Sequence, residues 1–249
     1  MIAAILLAAG KGTRIKSKDR NKVTLPFLNK PLIVYGVDLM NGIADKTIVV
    51  VGAFHESVKE VLEGHDVVFA YQHNQLGTAH AVKAGLLKID DLSLNPESVI
   101  ICYGDHTMFY KRETVQALLN KHENGDANLS LLTTHYPEPN RLAWGRIIRD
   151  KKDSVIAIVE QKDATEEQKK ITEINPGFYV VRTNFLWKAV YRIDPSPVSG
   201  EYYITDLIKI AVEDGERINT MTVPFNEVGI GINKIEELEE SQKIYIDRG

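Results

Sequence analysis

The apolar run Ile2 to Leu6 leads directly into Leu7, Ala8, Ala9, Gly10, Lys11, Gly12, Thr13 and Arg14, and this junction carries the residue types of an anion cradle. Two glycines let consecutive N–H groups turn toward a ligand, while Lys11 and Arg14 add positive charge. The spacing excludes two better-known glycine loops. A dinucleotide fingerprint needs a third glycine three positions after Gly12, where Ile15 stands, and a Walker loop needs Gly-Lys-Ser/Thr after four residues, which does not follow. A strand-to-loop phosphate cradle of another kind remains, with a triphosphate as its expected guest. An isolated basic glycine pair is more often a surface turn. The strand feeding this one favours a ligand, because open α/β sheets bind at the carboxyl ends of their strands.

Four further stations follow expected strands or loops. Gln72 to Ala81 lies between a strand and a helix, with Gly77 permitting close approach, Thr78 able to cap the helix, and the Gln72 amide able to pair with a nucleobase edge. Taken alone, the stretch reads first as a glycine turn with a routine cap. Tyr103, Gly104 and Asp105 end another strand, and a carboxylate there can hold Mg²⁺, a hard cation that prefers one or two protein oxygens plus phosphate and water. His106 beside it does not make a zinc site, since the seven histidines show neither HExxH nor Cys-x-x-Cys spacing. Asn233 either forms a capping box with Glu236 or supplies a second oxygen to the same Mg²⁺. Gly145, Glu160, Asn175, Tyr203 and Thr205 have the carboxylate, amide, hydroxyl and backbone groups that meet sugar hydroxyls, but residue type alone does not single them out from their neighbours.

These residues need a frame. Strands are expected at Ile2 to Leu7, Lys46 to Val51, Val67 to Tyr71, Val99 to Tyr103 and Asn128 to Thr134. Helices are expected at Leu32 to Gly42, Glu56 to Glu63, Thr78 to Leu87 and Arg112 to Glu123. That alternation predicts parallel βαβ units with helices on both faces of a sheet. From Pro137 to Gly200 prolines accumulate, and Gly145 to Arg149 with Val155 to Glu160 reads as a hairpin around Asp150 to Asp153, in a lobe over the sheet edge. Asp163 to Glu166 is expected to start a helix, with further helices at Tyr203 to Glu213 and Lys234 to Ile246.

Composition bounds the rest. The chain has 249 residues, 44% of them hydrophobic, enough for one large domain. A net charge of -4, from 30 Lys+Arg and 34 Asp+Glu, gives no general attraction to nucleic acid or anionic membrane. No apolar stretch is long enough to span a bilayer, no secretory signal is seen, and the single Cys102 fits a reducing compartment, so a cytoplasmic location is expected.

Several motifs together carry a resemblance that no one of them does. They are Leu7 to Arg14, Lys22-Val23, Gln72 with Gln75 to His80, Tyr103 to Asp105, Gly145 to Ile147, Glu160 to Asp163, Asn175 to Gly177, Glu201 to Asp206 and Gly231 to Asn233. In order, and over essentially the whole chain, they resemble the uridyltransferase domain of bacterial N-acetylglucosamine-1-phosphate uridyltransferases, within the sugar-nucleotidyltransferase superfamily. The resemblance implies an α/β, Rossmann-like mixed, mostly parallel sheet flanked by helices, with a sugar-binding lobe inserted in the second half. It implies one domain, residues 1–249, divided into a nucleotide-binding core (1–136), a sugar lobe with return strands (137–232) and a terminal helix (233–249). It assigns the segment Leu7 to Thr13 with Gln72, Gly77, Thr78, Tyr103 and Gly104 to the nucleotide, Asp105 and Asn233 to Mg²⁺, and Gly145, Glu160, Asn175, Tyr203 and Thr205 to the sugar. Arg14 and Lys22 are the expected catalytic cations.

The implied substrates are a nucleoside triphosphate, UTP first, and a sugar-1-phosphate. The alternatives are a dTTP or CTP enzyme with another sugar or polyol phosphate, or a non-catalytic nucleotide-sugar sensor. The chain departs from the family pattern at Asn21, where proline is usual and a less rigid loop around Lys22 is therefore expected. It departs again at His106-Thr107 (usually Val-Pro) and at Pro176 (usually a small hydroxyl residue). The family commonly continues into a hexapeptide-repeat acetyltransferase domain, and the chain stopping at Gly249 is expected to lack that activity and its trimer contacts. The oligomeric state is left open.

Overall fold

The sheet that holds the site is built from the strands with the strongest β-branched and aliphatic content. In a computed structural model, which describes residues 1–12 and 19–247, the chain forms twelve strands and seven helices among the described residues. In order they are β1 (Ile2–Ala8), β2 (Pro26–Phe27), β3 (Lys30–Pro31), α1 (Leu32–Met40), β4 (Lys46–Val51), α2 (His55–Val61), β5 (Val68–Tyr71), α3 (Thr78–Asp91), β6 (Ser98–Tyr103), α4 (Arg112–Asn124) and β7 (Leu129–His135). The second half adds β8 (Arg146–Arg149), β9 (Val155–Val159), β10 (Glu173–Ile174), β11 (Tyr179–Arg182), α5 (Thr183–Val190), α6 (Leu207–Glu213), β12 (Ile218–Thr222) and α7 (Ile235–Asp247).

Ten strands form one sheet in the order β5-β4-β1-β6-β11-β7-β10-β8-β9, with β12 alongside β7. The first four are mutually parallel, and register pairs Ala8 with Val51, Val51 with Tyr71, and Leu7 with Tyr103. Their carboxyl ends therefore finish level along one edge, and the loops that leave them face a common crevice. The antiparallel strand β11 splits β6 from β7, so the sheet is mixed, as the resemblance implied.

Alternation along the strands sends side chains to two cores. Ala3, Ile5 and Leu7 face α3, α5 and α6, while Ala4, Leu6 and Ala8 face α1, α2 and α4. A third, smaller core gathers Phe27, Leu32, Phe109 and Ile232 beneath α7.

Local expectations fail where tertiary partners compete. Asp163 to Glu166 does not start an α-helix. The capping pair is Thr165 with Gln168: Thr165 Oγ1 accepts from Gln168 N–H at 3.2 Å and Gln168 Oε1 accepts from Thr165 N–H at 2.9 Å, and only a 3-10 turn, Gln168–Lys170, follows before β10. Helix α6 begins four residues later than expected, after the 3-10 turn Ile204–Asp206. Strands β10, β11 and β12 and helix α5 had no counterpart among the expected elements.

Candidate active site

A cleft of about 470 Å³ opens at the carboxyl ends of β1, β5 and β6 and is closed opposite by the loops around β8, β9 and β10. Leu7, Ala8, Ala9, Gly10, Lys11, Gly12, Lys22, Gln72, Gly77, Thr78, Tyr103, Asp105, Gly145, Glu160, Asn175 and Asn233 all line it. Chain segments from both halves thus share one cavity. Thr13 and Arg14 lie outside the described residues.

At one end stands the glycine loop. Gly12 takes φ +61, the left-handed region, whereas a Cβ on Gly10 would meet nothing within 4 Å among the described residues. Next to it, the Gln72 side-chain nitrogen donates to Gly77 O at 3.0 Å and lies 3.0 Å from His80 Nδ1. The Gly77 carbonyl decides the amide's orientation, since an oxygen turned toward it would set acceptor against acceptor. Gln72 Oε1 is then the atom left for a ligand. Thr78 does not cap α3: Gly77 occupies that position, and Thr78 Oγ1 instead accepts from Ile204 N–H at 2.9 Å.

At the middle, three elements meet. The Lys22 ammonium forms an ion pair with Asp105 and donates to Asn233 Oδ1 and Ile232 O, both at 3.1 Å. Lys22 rides on the 3-10 turn Lys22–Thr24, Asp105 follows β6, and Asn233 precedes α7. Asn233 can face the cleft because its capping role is taken over. Glu237, one residue beyond the expected Glu236, accepts from Asn233 N–H at 2.6 Å and Lys234 N–H at 3.0 Å. Among the described residues no group of three or more His, Cys, Asp or Glu side chains converges, so any cation here would rest on the carboxylate, amide and carbonyl oxygens just named.

At the far end, Glu160 lies against Gly145, and Thr205 Oγ1 donates to its Oε1 at 3.0 Å. Burial pushes the Glu160 carboxyl up to about 7. The Thr205 hydrogen bond opposes that shift, and the nearby Asp163, Asp206 and Glu201 add to it. Asn175 uses its amide to shape its own loop, donating to Tyr179 OH at 2.6 Å and accepting from Gly177 N–H at 3.1 Å. Three expected residues stand one layer behind the cavity. Thr205 acts on Glu160, Tyr203 OH bonds Ser199 Oγ at 2.6 Å, and Gly104 N–H is tied to Leu7 O at 3.0 Å.

Some lining residues had no role in the sequence reading. Trp144 packs on the His106 ring, centroids 4.5 Å apart, and the two His106 nitrogens face Pro176 O (2.9 Å) and Gly229 O (3.3 Å). The His106 ring sits between the Asn175 loop and the loop leading to Asn233; burial lowers its pKa below the ordinary histidine value, and the backbone carbonyls facing it oppose that shift. The two departures His106 and Pro176 therefore touch each other. Their positions beside Asp105 and Asn175 were the only sequence signal for this. Asn21 also corrects the expectation of a looser loop: it is fully buried, and its side chain lies within hydrogen-bond distance of three carbonyls and one backbone N–H.

Comparison with known proteins gives this cleft a family. A nucleotidyl transferase family profile matches residues 3–228. The chain belongs to the nucleotidyl transferase family. It is 42% identical over 249 residues to the bifunctional protein GlmU of Caldicellulosiruptor saccharolyticus, covering 98% of this chain and 52% of that protein. It is 41% identical to GlmU of Thermoanaerobacter pseudethanolicus, covering 98% and 51%. For GlmU of Desulfotalea psychrophila the identity is 35%, covering 95% and 68%. The chain thus spans about half the length of the first and second of these relatives. Among solved structures, a UDP-glucose pyrophosphorylase complexed with UDP-glucose superposes with a TM-score of 0.77 over 100% of both chains. At 17% identity, that likeness speaks for the nucleotidyltransferase fold. No described helix is long and apolar enough to cross a membrane.

Proposed function

We propose that this nucleotidyltransferase joins UTP to a sugar-1-phosphate, N-acetylglucosamine-1-phosphate first among candidates, giving a nucleotide sugar and pyrophosphate. One observation carries the reading: a single cleft has a glycine loop at one end, a wall of Gly145, Glu160 and Asn175 at the other, and Lys22, Asp105 and Asn233 at the junction. Two anionic substrates laid end to end would meet at that junction. The GlmU relatives support the choice of substrates.

The base end favours a pyrimidine imide. With its nitrogen committed to Gly77 O and His80, Gln72 offers an acceptor, and the Gly77 N–H beside it has no acceptor among the described residues. An acceptor next to a donor complements N3–H and the adjacent carbonyl of uracil or thymine. Cytosine would bring an unprotonated N3 against the Gln72 oxygen, and a site built for the missing proton rejects such an analogue strongly.

The reaction needs a sugar-phosphate oxygen to form a bond to the α-phosphorus of UTP while the α–β bridging P–O bond breaks and pyrophosphate leaves. No covalent enzyme intermediate is required, so the protein's task is alignment and charge neutralisation. Loop N–H groups and Lys11 would hold the triphosphate, Lys22 the reacting phosphoryl oxygens, and Arg14 the departing pyrophosphate.

The junction also fits a hard divalent ion, Mg²⁺ being the natural candidate. Its donors are oxygens of Asp105, Asn233 and Ile232, and the Lys22 ammonium already rests among them as a cation. When bound, such an ion would neutralise phosphate charge. Glu160 and Asn175 would orient the sugar, and the neutral form of Glu160 could donate as well as accept.

The test is pyrophosphate release over a grid of UTP, dTTP, CTP, ATP and GTP against several sugar-1-phosphates, with and without Mg²⁺. Turnover with UTP at least about 10²-fold above CTP is expected. Asp105→Ala should keep the fold and lose about 10²-fold or more in cation-dependent kcat. A silent grid with nucleotide-sugar binding intact would replace the enzyme by a sensor, and near-normal activity of the variant would remove Asp105 from the mechanism.

A further inference from the structure

Asn21 is a fully buried side chain at the meeting point of three pieces of chain. Its two Nδ2 hydrogens are shared among the carbonyls of Ala8 (2.9 Å), Gly10 (3.1 Å) and Ala53 (2.9 Å), and its Oδ1 accepts from Val23 N–H at 3.2 Å. Its own N–H donates to Ser57 Oγ at 3.0 Å, and its carbonyl accepts from both Thr24 N–H and Thr24 Oγ1. Every polar atom of the residue is engaged. The same residue is the N-cap of the turn that presents Lys22.

The direction of these bonds matters more than their number. In a trans peptide each C=O and the N–H that follows it point opposite ways. Anchoring the Ala8 and Gly10 carbonyls on one amide therefore turns the Ala9 and Lys11 N–H groups to the other side of the loop. Ala9 and Lys11 both line the cleft, and among the described residues neither N–H has an acceptor. Two donors are thus held ready for an anion by a side chain behind them. A proline at this position could fix φ, which is -73 here, but has no amide to hold those carbonyls.

We propose that Asn21 is a positioning residue for the triphosphate, setting the direction of the glycine-loop N–H groups and the place of Lys22 relative to them. The proposal rests on the nucleotidyltransferase reading above. It predicts a loss confined to phosphate recognition, because a bare nucleoside would engage only the Gln72 and Gly77 end of the cleft. A residue with a merely structural role would lower thermal stability and the active fraction without separating the two.

Calorimetric titration of the full chain with UTP and with uridine, for wild type and Asn21→Ala, makes the distinction. UTP affinity is expected to fall at least about tenfold while uridine affinity stays within about twofold. In turnover, the KM for UTP should rise and the KM for the sugar phosphate should not. Asn21→Ser, which keeps one hydroxyl donor, should fall between the two and carries the same test if the alanine variant does not fold. Equal losses for UTP and uridine, or no loss for either, would overturn the proposal about Asn21 alone. Wild-type protein that binds UTP no more tightly than uridine would overturn the nucleotidyltransferase reading and this proposal with it.

Discussion

Glu160 is a carboxyl group drawn out of bulk water, with other carboxyl groups nearby adding to the effect, which is why its pKa rises from 4.5 to about 7. The sign of the consequence is fixed by linkage. Between those two values the folded chain keeps a proton that the unfolded chain has released, so this group makes stability fall as pH rises through the window. The loss is bounded at about 3 kcal/mol, from about 1.4 kcal/mol per pKa unit. Glu160→Gln keeps an acceptor for Thr205 and removes the titration. Thermal melts from pH 4.5 to 8 should therefore show wild type losing several degrees relative to the variant, and parallel curves would refute the assignment. Other side chains look alike in sequence and differ only in their partners. Asn233 faces the cleft because Glu237 takes the backbone N–H groups at the helix start, whereas Asn21 is drawn fully into the protein by three carbonyls.

At the scale of elements, the loops after parallel strands carry the site, and their glycines are not equivalent. Gly77 has φ +114, and a Cβ there would lie 2.5 Å from Tyr202 O and 2.6 Å from Tyr202 N, atoms of a backbone that cannot step aside. Gly77→Ala should cost about 2 kcal/mol or more. Gly10→Ala, with no described atom within 4 Å of the added methyl, should stay within about 0.5 kcal/mol of wild type by denaturant melts yet weaken UTP binding, because Gly10 lines the cleft. Equal stabilities for the two variants would contradict this contrast. Strands β1, β4, β5 and β6 were legible from sequence to within a residue or so because each is a short apolar run with nothing local to compete. The stretch at Asp163 was misread because Asp163 accepts from Ser196 Oγ, the capping pair forms two residues later at Thr165 and Gln168, and only one turn follows before β10.

At the scale of the molecule, the terminal helix α7 packs on the small core next to the loop that carries Asn233. Tyr245 sets its ring edge-on to Phe27 and Phe109, both 5.4 Å away, over the core that includes Ile232, the neighbour of Asn233. Tyr245→Ala should remove about 2 to 4 kcal/mol of stability and, by loosening the loop before α7, also weaken cation-dependent turnover. Thermal melts and a Mg²⁺ titration of activity would check both halves. A stability loss with an unchanged Mg²⁺ dependence would separate α7 from the site.

The sequence by itself determined the alternation of strands and helices, the glycine loop and the placing of Gln72 and Asp105 just after strands. Those features are written in residue types within a few positions of each other. Only the tertiary structure decided that Lys22 meets Asn233 across 211 positions, that β11 splits the parallel run, that Thr205 backs Glu160, and that Asn21 holds the loop it was expected to loosen. Such contacts depend on where distant segments are brought by packing and register, and a buried amide or carboxylate takes its role from the partners it finds there.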